Sequence, residues 1–174
     1  MGPTRHFAAA PWPRSLRLTS ALGTVLLIGV AIAAHRAAPG GGGFTHVFGV
    51  GIAWVPPLLL VASYLFTVTG YAVSAAGIAI QRPLWETQLR LDGLQRVTID
   101  PAVCKDSVRL IGNAGLFGYT GLYRNGRLGT YRLFATDPAR AVVLVIPRRT
   151  IVVTPASPAA FVEHLQHVFP HAQA

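Results

Sequence analysis

Charge is scarce in this chain. Only 12% of its 174 residues are charged and 52% are hydrophobic, whereas about a quarter are charged in ordinary soluble domains. Acids are missing entirely from residues 1–66, whose formal charges are Arg5, Arg14, Arg17 and Arg36. All six acids and the other eleven basic residues fall in residues 67–174. This asymmetry argues against a uniformly soluble protein. It divides the chain into a membrane-like first part and a soluble-like second part, the latter long enough to bury a core. A single cysteine, Cys104, excludes an internal disulfide. The signatures of common chemistry are also missing. No Walker lysine follows the glycines, and no Gly-x-Ser-x-Gly elbow occurs. Cys104 has no base that the sequence assigns to it. Asp92, Asp100 and Asp106 fall in turns or at strand ends, where aspartate commonly bonds its own backbone. His164, His167 and His171 lack the paired spacing of a zinc site, and Pro170 cuts His171 off from the helix carrying the other two. No catalytic residue, cofactor or metal is therefore expected, and the chain reads as non-enzymatic. The net charge of +9 comes without a nucleic-acid recognition motif.

What is present is two apolar segments near the N-terminus. Residues 18–34 carry no charge and are rich in Leu, Val, Ile and Ala, at the short end of what crosses a hydrocarbon core of about 30 Å. A second segment runs over about 46–66, with Trp54 and Tyr64 as interfacial or packing aromatics and a kink expected at Pro56 and Pro57. Glycines at 40–43 make a flexible turn within 36–45. The expected organisation is a basic N-terminus over 1–17, a transmembrane helical hairpin over 18–66 with spans at about 18–35 and 46–66, and a β domain over 67–174. The arginine asymmetry places the N-terminus and the β domain in the cytoplasm of a multi-pass cell-membrane protein, by the positive-inside bias. A cleaved signal peptide ending near Ala31 or Ala33 is the rival for the first segment. It would leave the second segment as a stop-transfer span and the orientation of the domain unchanged.

Beyond residue 66 the pattern turns to β. Thr67, Thr69, Tyr71 and Val73 predict a strand over 67–74, and the alternation around Ile78 and Ile80 predicts its partner over 77–82, with a second apolar helix continuing to about Ala76 as the alternative. Further strands are expected around 85–90, 97–99, 108–111, 119–123 and 128–136, the last two joined at Asn125-Gly126. A fully buried strand over 141–146 and another over 150–154 complete the series. Residues 113–118 read as an irregular loop, with an anion cradle of backbone amides as the less economical reading. A helix over 158–169 is expected, with Ser157 as its N-cap and Pro158 in its first turn. Phe161, Val162, Leu165, Val168 and Phe169 share its apolar face.

This order, strands in succession and then one amphipathic helix, is that of a pleckstrin-homology-like (PH-like) fold. The stretches Gln81-Arg82-Pro83-Leu84-Trp85-Glu86-Thr87, Arg109-Leu110-Ile111-Gly112-Asn113-Ala114-Gly115-Leu116-Phe117-Gly118 and Leu128-Gly129-Thr130-Tyr131-Arg132 resemble a bacterial PH domain family of membrane-associated proteins. So do Thr136-Asp137-Pro138 and Thr150-Ile151-Val152-Val153-Thr154-Pro155. The resemblance covers about residues 71–168. It implies an α+β membrane protein with a PH-like β-sandwich or barrel of about seven strands and a C-terminal helix, and it carries no catalytic residues.

The basic residues supply the candidate contact site. Arg124 and Arg127 flank one turn, and Arg148 and Arg149 occupy another. Near an anionic leaflet each arginine contributes about 1 kcal/mol, so contact with lipid headgroups stands beside the plainer reading of a solvated face. Three functions follow: a membrane-anchored module binding a protein or anionic lipid, an accessory subunit docked through its hairpin, and, least supported, an enzyme. For the subunit reading, Gly23, Gly29, Gly49 and Gly51 permit close helix approach without forming a Gly-x-x-x-Gly pair.

Overall fold

The computed structural model describes residues 4–37 and 44–173. Strand β1 (Arg5–Ala8) comes first, followed by the long helix α1 (Arg14–Ala37). Pro11 and Pro13 keep the intervening segment extended, and α1 begins as Arg17 N donates to Pro13 O. Among the described residues α1 is the one helix long and apolar enough to cross a membrane. The second apolar segment forms two shorter helices, α2 (Phe44–Ala53) and α3 (Val55–Leu65), with a break at Trp54. Pro56 and Pro57 have no amide hydrogen, so the carbonyls of Ile52 and Ala53 lose their helical partners. The expected kink is thus a division into two helices, both packed against α1. The turn expected over 36–45 lies largely outside the described residues, and its flanks, Arg36–Ala37 and Phe44–Thr45, are helical.

The β domain has β2 (Gly70–Ser74), β3 (Gly77–Gln81), β4 (Glu86–Leu89), β5 (Arg96–Ile99), β6 (Val108–Ala114), β7 (Tyr119–Asn125), β8 (Gly129–Ala135), β9 (Val142–Ile146), β10 (Arg149–Val153) and the C-terminal helix α4 (Pro158–Val168). Instead of about seven strands, the described residues hold ten, in a four-stranded sheet β1-β2-β3-β4 and a six-stranded sheet β5-β9-β10-β8-β7-β6. The strand beyond the nine expected runs is β1, contributed by the N-terminal segment, which pairs antiparallel with β2 from Arg5↔Val73 to Ala8↔Gly70. The short strands expected around 85–90 and 97–99 form as β4 and β5, each paired over its whole length. The loop expected from 113 begins later, because β6 stays paired with β7 as far as Ala114↔Tyr119.

Strand β10 inserts between β9 and β8, antiparallel to the first and parallel to the second. Both faces of this central region are covered. Val142, Leu144, Ile151 and Val153 join the main core with Tyr71, Ile78, Ile80, Phe161 and Leu165. Val143 and Val152 face a second cluster with Val103, Tyr131 and Leu133. That double burial explains the unbroken apolar run of β9. In α4, Phe161 and Leu165 are buried and Pro158 sits in the first turn. Ser157 occupies the N-cap position, but its hydroxyl makes no capping bond.

Candidate functional site

The helices meet the domain at a latch. The loop 115–118 holds the first two turns of α1, where Leu16 and Ser20 are buried. Thr19 Oγ1 donates to Gly115 O at 3.0 Å, and Phe117 N donates to Ser20 Oγ at 2.9 Å. Thr67 Oγ1, just beyond α3, donates to Phe117 O at 3.1 Å. Phe117 adopts φ 61°, the left-handed region. Its ring lies between Trp12 at 6.0 Å and Tyr64 at 5.9 Å. Two of the amides considered for an anion cradle are engaged: Phe117 N by Ser20, and Gly115 N by Gly118 O at 3.0 Å. This loop positions helices. The available signal was the pair Thr19 and Ser20, two hydroxyls early in an otherwise apolar run.

A second set of ties closes the junction from below. Ala10 N donates to Thr154 O at 2.8 Å. Thr136 N donates to Thr154 Oγ1 at 2.9 Å, and Thr136 Oγ1 donates to Ala10 O at 2.6 Å, all buried. Tyr71 links both sheets there: its hydroxyl donates to Phe134 O at 2.7 Å and accepts from Thr154 N at 3.0 Å. Burial pushes this phenol up to about 12.

Arg124, Arg127, Arg148 and Arg149 lie at the other end of the six-stranded sheet. Tyr119 pairs with Ala135 near the latch, and Asn125 pairs with Gly129 at the far end of the same two strands. Because β10 runs parallel to β8, Arg149 begins that strand at the same far end. Arg124 pairs with Thr130, and Thr150 with Tyr131, so Arg124 and Arg149 stand nearly level across β8. At about 4.8 Å per strand their Cα atoms are roughly 10 Å apart. The structure thus brings the two arginine turns together, about 20 Å along the strands from the latch at 3.3 Å per residue. All four side chains belong to exposed residues. Arg127 pairs with Asp100 at 2.7 Å, and Arg149 Nη2 donates to Arg90 O at 2.5 Å. Among the described residues Arg124 and Arg148 form no ion pair.

The remaining reactive groups are spread out. Asp100 Oδ1 accepts from Ala102 N, and Asp92 pairs with Arg90. Half-buried Cys104 lies near Tyr131, and burial raises its pKa. Burial likewise lifts Tyr123 and Tyr131 to about 12. His164 packs on Phe7 with ring centroids 5.7 Å apart, and burial, followed by the charges of Arg5 and His167, lowers its pKa. Among the described residues no group of three or more His, Cys, Asp or Glu is placed to hold a metal ion.

With this architecture established, a comparison with protein families finds a match to the bacterial PH domain over residues 69–168, more than half the chain. The chain belongs to the bacterial PH domain family. The match runs from the residue before β2 to the last residue of α4, so both sheets of this bacterial PH domain fall inside it except β1. Comparisons with curated proteins and with solved structures found no significant match. The latch loop and both arginine turns lie within the family region, whereas the helices that the latch holds do not.

Proposed function

We propose that this chain is a membrane-anchored, non-enzymatic interaction module, with a helical hairpin holding the bacterial PH domain at the cytoplasmic face of the cell membrane. The observation that carries this reading is the place of β1. It precedes α1 in sequence yet pairs with β2, which follows α3. A chain that leaves a sheet and returns to it crosses a bilayer an even number of times, if it crosses at all. At 1.5 Å per residue α1 is about 36 Å long, of which about 26 Å extends beyond the two turns held by the latch, and α2 with α3 is about 33 Å, close to a hydrocarbon core of about 30 Å. Leu18, Leu22, Val25 and Leu26 give α1 an exposed apolar surface suited to lipid. Arg5 before the helices, Arg14 and Arg17 in the first turn of α1, and Arg82 and Arg90 after α3 outnumber Arg36 in the last turn of α1, which favours both ends inside. The same pairing counts against removal of residues 1–34 as a signal peptide, since cleavage would strip β1 from its sheet.

The arginine turns then lie at the end of the domain away from the hairpin. Arg124 and Arg148 suit an acidic protein partner there better than the leaflet that holds the anchor. A role as an accessory subunit draws support from Gly29 and Gly51, where an added Cβ would meet nothing within 4 Å. Those helix faces are open to a neighbouring helix.

Alkaline washing of membranes, combined with reporter fusions at each end of the chain, tests the reading. The protein is expected to stay in the pellet, with both reporters active in the cytoplasm. Release by alkali, or reporters on opposite sides, overturns it.

A further inference from the structure

The junction also contains a cavity of about 350 Å³ between α3 and the β6–β7 pair, within the usual range for small-molecule sites. Leu59, Ala62 and Phe66 line it from the last turns of α3. Its opposite wall is bare because Gly112 and Gly121 face each other across β6 and β7. Each has a φ that disfavours side chains, at 120° and 142°, and a Cβ on either would run into the backbone of the other strand. The space is thus fixed by the main chain.

Its charged group is Arg82. The guanidinium lies over the rings of Phe66 at 5.1 Å, Phe134 at 5.8 Å and Trp85 at 5.9 Å. Nη1 donates to Phe66 O at 2.6 Å, closing the end of α3. Nε is buried and has no hydrogen-bond partner among the described residues. Among them no carboxylate pairs with this arginine. Burial lowers its pKa. Leu84, 73% exposed, lies two residues after Arg82, and Ile111, 72% exposed, immediately precedes Gly112. Such apolar side chains suit a membrane interface better than water.

We propose that this cavity is a phospholipid site, in which Arg82 takes the phosphate of an anionic headgroup and an acyl chain lies along Leu59 and Ala62. The inference rests on the membrane-anchored reading, which places the end of α3 at the level of the headgroups. A fork of guanidinium donors matches a phosphate and supplies the missing anion. The apolar α3 face next to it distinguishes a lipid from a free phosphate ion, which would leave that face unused.

The test uses the full chain in mild detergent, with phosphatidylglycerol as the probe and native mass spectrometry as the readout. Wild type is expected to retain phosphatidylglycerol through washing. Arg82→Gln is expected to weaken retention about tenfold or more, as loss of a charge-assisted pair does. Ala62→Phe fills the cavity while leaving Arg82 in place, and is expected to weaken retention similarly even if Arg82→Gln unfolds. Equal retention by wild type and Ala62→Phe overturns the site. So does displacement of the lipid by millimolar inorganic phosphate, which would make it an anion site. A chain that leaves membranes without detergent refutes the anchored reading itself. A chain that needs detergent yet retains no phosphatidylglycerol refutes the lipid site alone.

Discussion

At the scale of single residues, Tyr71 shows how much can rest on one hydroxyl. It is fully buried and serves Phe134 O and Thr154 N at once, so that β2 of one sheet is bonded to the ends of β8 and β10 in the other. Tyr71→Phe keeps the ring and strands a buried carbonyl and a buried amide. The expected loss is about 1–3 kcal/mol, read from the urea midpoint of the full chain in detergent. The same phenol predicts an alkaline limit. Its pKa rises from 10.0 to about 12 on folding, so the folded state holds the proton more tightly. The stability it contributes is complete below pH 10 and disappears as the pH climbs through 12. Tyr71→Phe, less stable at neutrality, should lose less between those two pH values than wild type. An equal loss in both would assign the alkaline limit to other groups. The strand around Tyr71 was legible from the β propensity of its residues. Its bond was not, because Phe134 lies 63 residues on and periodicity carries no information about partners so distant.

At the scale of elements, the features readable in the sequence were those that announce themselves locally. Asn125-Gly126 marks a turn, and Asn125 Oδ1 accepts from both Arg127 N and Leu128 N there. Pro56 and Pro57 mark the division between α2 and α3. Strand β1 has only four residues, and its reason for being extended is the edge of β2, more than sixty residues away in the register Arg5↔Val73. Its worth can be measured. Phe7 meets Phe161 edge-on at 5.1 Å but is only partly buried. Phe7→Ala is therefore expected to cost about 2–3 kcal/mol, below the roughly 3–5 of a fully buried phenylalanine. A change under about 0.5 kcal/mol in the melting curve would mean that β1 merely rests on the sheet. Glycines offer a sharper contrast. Gly121→Ala puts a Cβ against Ile111 O at φ 142°, for an expected loss of at least about 1–3 kcal/mol. Gly126→Ala enters open space and should stay within about 0.5 kcal/mol of wild type. The sequence placed Gly126 in a turn and Gly121 in a strand, but the close approach of Gly112 across β6 and β7 that Gly121 permits is a pairing no local pattern announces.

At the scale of the whole molecule, the division into an apolar first part and a β domain was visible in the distribution of charge. The closure of the chain on itself was not. Arg124 and Arg149 read as two unrelated turns until the parallel pairing of β10 with β8 sets them nearly level across one strand. The resulting charge lies at the end of the sheet away from the latch at 115–118, and this fixes what it can reach. Electrostatic attraction in 0.1 M salt decays over about 10 Å, while the arginine end is about 20 Å along the strands from the latch. If the domain stands on its hairpin, its own leaflet contributes little to these arginines, and an acidic surface presented from the other side contributes much. Protein reconstituted in neutral vesicles should therefore tether a second population of anionic vesicles, seen as a rise in light scattering at low salt. Each arginine near such a surface contributes about 1 kcal/mol, with Arg127 and Arg149 giving less because Asp100 and the Arg90 carbonyl already engage them. Replacing all four by serine should abolish the tethering while the protein stays folded, with about 1 kcal/mol or less lost for the Arg127–Asp100 pair, and about 0.5 M salt should abolish the tethering in wild type. Absence of tethering by wild type would overturn this placement; if wild type reconstituted in anionic vesicles instead protects these arginines from a soluble modifying reagent, and does not in neutral vesicles, the domain lies flat on the leaflet and the arginine turns are the headgroup contact.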